Sequence, residues 1–140
     1  MAITLAAPAC QASCDGIVNQ IDIGSSAGAL VIWKSAVGAE GSITTATTNV
    51  LVIIPFGDPA FGDASAAAPS VATANAIAAV NATGAGTAAV FSVYKVSAGT
   101  YTELFRGAVG TSGSDLNITN LTIALGDPIT ITSFTFSVPA

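Results

Sequence analysis

Residues 49–77 read NVLVIIPFGDPAFGDASAAAPSVATANAI, and this stretch decides the fold class. Val50, Leu51, Val52, Ile53 and Ile54 form a continuous apolar run rich in β-branched side chains, which fit a pleated, buried surface. Pro55 and Pro59 have no N–H to give a ladder, so the strand is predicted to end there, and Gly57, Asp58 and Gly62 supply the turn. Phe56 and Phe61 bracket that turn and are predicted to plug the end of the core, each being large enough to hold a loop down by burial. Beyond it the pattern alternates, with Val71, Thr73, Asn75 and Ile77 opposing Ala72, Ala74 and Ala76. The alanine face is small enough for very close packing.

On the N-terminal side, Cys10, Cys14, Ile17, Val18 and Ile21 recur at helical spacing, which predicts a helix over residues 9–22 with these side chains on its buried face. Gly24, Ser25, Ser26 and Gly28 give it an end, and residues 1–8 are expected to form a flexible arm. A short strand follows over residues 29–34. Residues 35–49, with Gly38, Gly41 and a cluster of threonines, read as a long connection.

On the C-terminal side, residues 81–86 read as a turn and residues 87–96 as a strand that is apolar on both faces, hence central. The turn at residues 97–99 joins it to a hairpin partner over residues 100–109. Leu116 and Ile118 share one phase, Leu121, Ile123 and Leu125 the other, with a break at Thr119 and Asn120. A turn at Gly126, Asp127 and Pro128 precedes a closing strand in which Ile129 and Ile131 are out of phase with Phe134, Phe136 and Val138. Because the side-chain period is two, a bulge near Ser133 would keep both sets on the core. About seven or eight strands with regular turn signals predict a mostly β fold, an antiparallel β-sandwich or jelly roll over residues 29–138.

The 140 residues suit a single domain, which buries roughly two-thirds of the surface of its unfolded chain. Charged residues make up only 8% of the chain. The surface must therefore be built from Thr, Ser, Asn, Ala and Gly, which carry little side-chain entropy and lose little on desolvation, so permanent contact with other proteins or homo-oligomerisation is expected. Only Lys34, Lys95 and Arg106 oppose eight acids, too few bases to neutralise a run of phosphates, so nucleic acid is not an expected partner. The opening MAITLAAPAC has the apolar look of a lipoprotein signal ending at Cys10, but no Lys or Arg precedes residue 34 and the apolar stretch is short. No run approaches the roughly 18 residues needed to span a bilayer, so no membrane association is expected.

The residues capable of chemistry are few. There is no His to act as a base, and no Ser or Cys stands in a nucleophile motif. Cys10 and Cys14 at i, i+4 lack the further ligands of a zinc site and are expected to be small core hydrophobes. Asp15, Asp22, Glu40, Asp58, Asp63, Glu103, Asp115 and Asp127 are scattered, mostly beside Gly, Pro or Ser. Asp58 and Asp63 match no calcium-loop spacing and read as turn formers. Gly84 and Gly86 lack the third glycine and the helix of a phosphate cradle. The Asn-x-Thr triplets at Asn81, Asn117 and Asn120 carry no weight without a secretory signal. No catalytic residue, cofactor site or metal site is expected, and the chain reads as not an enzyme.

Several stretches taken together resemble a family of small structural proteins of tailed bacteriophages. They are an N-terminal helix ending near Asp22, ALVIW at residues 29–33, DPAFG at 58–62 and VATANAI at 71–77. GTAAVF at 86–91, RGAVGTSGSDLN at 106–117 and ITSFT at 131–135 continue the match in order. These motifs are turns and core strands, so they specify fold more than task. The resemblance implies a virion protein made in the host cytoplasm, with the major capsid protein or other virion proteins as partners. A capsid cement or decoration protein is the first expectation, a tail, neck or fibre component the second. A carbohydrate-binding sandwich, resting on Trp33, Tyr94 and Tyr101, is the remotest. After Trp33 the family tends to carry a basic turn containing Pro, whereas this chain has Lys34, Ser35, Ala36, Val37 and Gly38, a difference expected to bear on partner choice.

Overall fold

A computed structural model describes residues 3–34 and 49–140; the expected connection over residues 35–49 falls almost wholly outside them. Helix α1 spans Ala7–Val18, with Pro8 in its first turn, and a 3-10 turn, Asn19–Asp22, carries it on. The helix thus starts two residues earlier than expected, because a proline in the first turn loses no hydrogen bond and its fixed φ already suits a helix. Cys10, Cys14, Val18 and Ile21 are buried as predicted. Ile17 is not: it lies at the edge of the apolar stripe and is 37% exposed.

The strands are β1 (Ser26–Trp33), β2 (Val50–Pro55), β3 (Ser70–Thr73), β4 (Val80–Asn81), β5 (Gly86–Thr87) and β6 (Val90–Ser97), then β7 (Thr100–Gly110), β8 (Leu116–Ile118), β9 (Thr122–Ile123), β10 (Pro128–Ile129) and β11 (Ile131–Val138). Seven of them form one sheet in the order β2-β1-β6-β7-β8-β11-β3, while β4–β10 and β5–β9 make two short ribbons. The residues expected to form only a turn, 81–86, thus contribute one residue to each ribbon, Asn81 to β4 and Gly86 to β5.

The sheet does not lie flat. Strands β6 and β11 stand three positions apart in the order, about 14 Å at the usual strand spacing. Yet the rings of Phe91 on β6 and Phe134 on β11 are 5.1 Å apart. Phe56, just past β2, reaches the same Phe134 ring at 6.2 Å although β2 and β11 are five positions apart. The sheet therefore folds over, so that β2-β1-β6-β7 faces β8-β11-β3 across a shared core, the sandwich-like arrangement predicted from the strand pattern. Phe56 and Phe61 are buried against Phe134 and plug the core as expected.

One junction departs from the expected antiparallel pairing. Strands β7 and β8 run parallel, pairing Val109 with Leu116 and Gly110 with Asn117. Parallel neighbours ordinarily need a crossover of a dozen or more residues. Here residues 111–115 make the return, held by the buried Asn117 side chain: its Oδ1 accepts from Ser114 N–H at 3.1 Å, while its Nδ2 donates to Ser114 O at 2.7 Å and Ser133 Oγ at 2.9 Å.

Strands β1 and β6 are central and buried on both faces. Leu30, Ile32, Phe91 and Val93 point into the main core, while Val31, Trp33, Tyr94 and Val96 build a second cluster on the opposite face. The Trp33 indole N–H donates to Ser92 Oγ at 2.8 Å, satisfying a donor with no access to water. The predicted hairpin after β6 is closed by Ala98 and Gly99, both at positive φ, the backbone twist a two-residue turn needs. The predicted bulge in the closing strand is present, with the register shifting between Ile131 and Ser133. Alternation beyond Thr73 fails, however: Ala74 makes an isolated bridge to Phe61 and the Asn75 N–H turns to Ala60 O, ending the ladder. Leu125, expected to share the apolar phase of Leu121 and Ile123, sits at the tip of the turn formed by residues 124–127 and is 71% exposed.

Candidate functional site

The polar chemistry of the chain is spent largely on holding its own loops. Asp15 and Asp22 are seven residues apart, so they share one side of the helix, and both accept from the loop that follows β2. The Ala64 N–H donates to Asp15 Oδ1 at 2.7 Å, and the Ala60 N–H to Asp22 Oδ1 at 3.1 Å. Gln11 Nε2 adds a bond to Ala64 O at 3.0 Å. Burial pushes the Asp22 carboxyl above its ordinary range, Asp58 nearby adds to the rise, and the Ala60 N–H opposes it. A cavity of about 220 Å³ lies beside Asp22 and Asp58, with Gly24, Ser25, Ser26 and Ala27 completing its wall. Among the described residues no group of three or more His, Cys, Asp or Glu side chains comes together as a metal site.

The other singled-out residues serve the fold in the same way. Cys10 and Cys14 are free, buried thiols, as predicted. The Cys14 thiol faces Phe136 O at 3.6 Å, and burial raises its pKa. Asn117 ties the β7–β8 return, Asn120 Oδ1 accepts from Thr122 N–H at 3.0 Å, and Asp127 Oδ2 accepts from Ala124 N–H at 2.8 Å. Of the three aromatics open to a sugar-stacking role, Trp33 and Tyr94 are fully buried. Tyr101 is half-buried edge-on to Tyr94, with ring centroids 5.8 Å apart. A second cavity, of about 140 Å³, is bordered by Asn120 and Asp127, whose carbonyl and carboxylate oxygens are already engaged in their own turns. Among the described residues no helix is long and apolar enough to cross a membrane.

Among the described residues, the feature that remains for contact with another molecule is a strand edge. Both outer edges of the large sheet are met by the chain itself, β3 along its length and β2 near its start. On β2, Leu51 O accepts from Thr83 N–H at 2.8 Å, and Pro55 has no N–H to offer. On β3, the Gly62 N–H bonds Thr73 O and the Ser65 N–H bonds Val71 O, each at 2.9 Å. Strand β7 differs. It is eleven residues long, yet β8 pairs only with Val109 and Gly110, so residues 100–108 carry no ladder on that side among the described residues. In an extended strand every second residue turns its N–H and C=O away from the existing partner, so this edge displays unused backbone groups.

Half-buried Leu104 and Phe105 line the inner side of that edge, and across the opening lie Phe136 and Val138 of β11. The rings of Phe105 and Phe136 meet with centroids 4.6 Å apart. On the outer face Arg106 Nε donates to Glu103 at 2.8 Å. Leu104 is the extra residue of a bulge, since Val93 pairs with Phe105 and Tyr94 with Glu103. Gly107 matters here: a Cβ at that position would stand 2.8 Å from the Phe91 ring, so glycine lets that ring lie across the strand. Sequence reasoning recognised β7 as a hairpin partner but not its free edge, because nothing local marks that β8 runs parallel to it and begins only at Val109. The Asp15 and Asp22 spacing was the one signal that could have identified the loop clasp. Searches against protein-family models, curated proteins and solved structures return no match.

Proposed function

We propose that this chain is a non-enzymatic structural protein of a bacteriophage virion, a capsid cement or decoration protein that binds major capsid subunits and stiffens the shell. The observation that carries the reading is a sandwich whose described loops are tied down from within, combined with a long strand edge that carries no ladder among the described residues, in a chain only 8% charged. Such a surface loses little on desolvation and gains backbone hydrogen bonds when a neighbour adds a strand. Eight acids and three bases leave little for ionic steering, so attachment rests on apolar burial and backbone bonds.

Purified particles and a salt series test this. Copy number on the order of hundreds per particle is expected for a shell protein that repeats with the capsid lattice, whereas a few copies would assign it to neck, tail or fibre. Raising salt from 0.1 M to 1 M shortens the Debye length from about 10 Å to about 3 Å, and the protein should stay on the capsid through both washes. Release by salt alone, or absence from purified particles, would refute the proposal.

A further inference from the structure

We infer that the free edge of β7 is filled by the N-terminal segment of a second copy of this chain, which adds as a short strand with Ile3 as its anchor. Residues 3–6 precede α1 without joining any helix or strand of their own chain, and Ala6 has extended backbone. Ile3 is 89% exposed, the most exposed of the large apolar side chains among the described residues. Ile3 and Leu5 alternate with Thr4 and Ala6, the period-two pattern of a strand with one apolar face. The edge it would meet offers the complement: unladdered backbone along residues 100–108, and the half-buried Leu104, Phe105 and Phe136 on the inner side.

The chemistry favours exchange between copies over any other occupant. No charged residue lies within the segment and none of its side chains is longer than isoleucine or leucine at residues 3–6, so it can enter beside β7 without burying an unpaired charge. Its own chain holds the root of the segment in place, the Cys10 thiol bonding Leu5 O and Pro139 O at 3.6 Å each, next to the end of β11. The segment is therefore rooted beside the end of β11, the strand whose Phe136 and Val138 lie across the opening from β7.

This inference rests on the reading that the protein works as assembled copies, and its test is run on the purified chain without capsids so that the two can fail separately. Sedimentation velocity over a concentration series should show self-association of the wild type. Ile3→Asp should weaken it about ten- to a hundredfold, the factor expected when one buried isoleucine is replaced by a charge, with the far-ultraviolet spectrum and melting curve unchanged because Ile3 packs against nothing in its own chain. In an oxidised equimolar mixture, Thr4→Cys chains, whose thiol takes the outer face when Ile3 turns inward, should form a disulfide with Arg106→Cys chains but not with Leu125→Cys chains, whose thiol lies on an exposed turn tip. A wild type that stays monomeric at high concentration, an Ile3→Asp chain that associates like wild type, or equal cross-linking to both positions would overturn the inference. Loss of capsid binding with self-association intact would instead refute the cement reading alone.

Discussion

Replacing Phe134 by alanine is the sharpest test of how this sandwich holds together. Its ring is buried and meets Phe91 at 5.1 Å, Phe61 at 5.2 Å, Phe56 at 6.2 Å and Phe105 at 6.4 Å, so from β11 it touches residues of the opposite half of the folded sheet and of the loop after β2. Truncating a buried phenylalanine costs about 3–5 kcal/mol, and the loss of four ring contacts, two of them edge-to-face, places this site at the upper end. Against a total stability of about 5–15 kcal/mol that is a large fraction, and at about 3 °C per kcal/mol for a chain of this size Tm should fall by about 10–15 °C. The neighbouring Phe136 is only half-buried at the opening beside β7, so Phe136→Ala should cost about half as much. Guanidinium unfolding followed by the emission of the single tryptophan, Trp33, reads both variants, since that indole is buried and bonded to Ser92. If Phe134→Ala cost no more than Phe136→Ala, the closure of the sheet around this ring would be wrong.

Three further outcomes follow from individual contacts. The Asp22 carboxyl has a raised pKa in the fold, so its contribution is fully present below the ordinary aspartate value and is lost as pH rises through the raised one. Asp22→Asn should therefore flatten the pH dependence of unfolding free energy in that acidic window, and titrations of the two proteins with the same slope would refute this. Gly107→Ala forces a methyl group against the Phe91 ring 2.8 Å away and should destabilise by about 1–3 kcal/mol in thermal melts; an unchanged Tm would mean the ring can move aside. Cys10 and Cys14 should react with an aromatic disulfide reagent at pH 8 only as fast as the protein opens, because both thiols are buried, and immediate labelling of the folded protein would contradict their placement.

How far the sequence reaches depends on the range of the physics involved. Features set within a few residues were legible: Pro55 ending β2, the two-residue turn at Ala98 and Gly99, Phe56 and Phe61 closing the core, and the bulge that rephases Ile131 with Phe134. Each follows from a missing N–H, a positive φ, a side-chain volume or a period of two, none of which needs a distant partner. The strand order, the parallel β7–β8 junction, the clasp made by Asp15 and Asp22, and the exposure of Ile17 and Leu125 were decided only by the tertiary structure. A strand's apolar phase says which face is buried but not which strand lies beside it, and a carboxylate's role is set by the N–H groups that the fold brings to it. The free edge of β7 belongs to the same class: β8 begins opposite Val109 and runs parallel to β7, so its course leads away from residues 100–108.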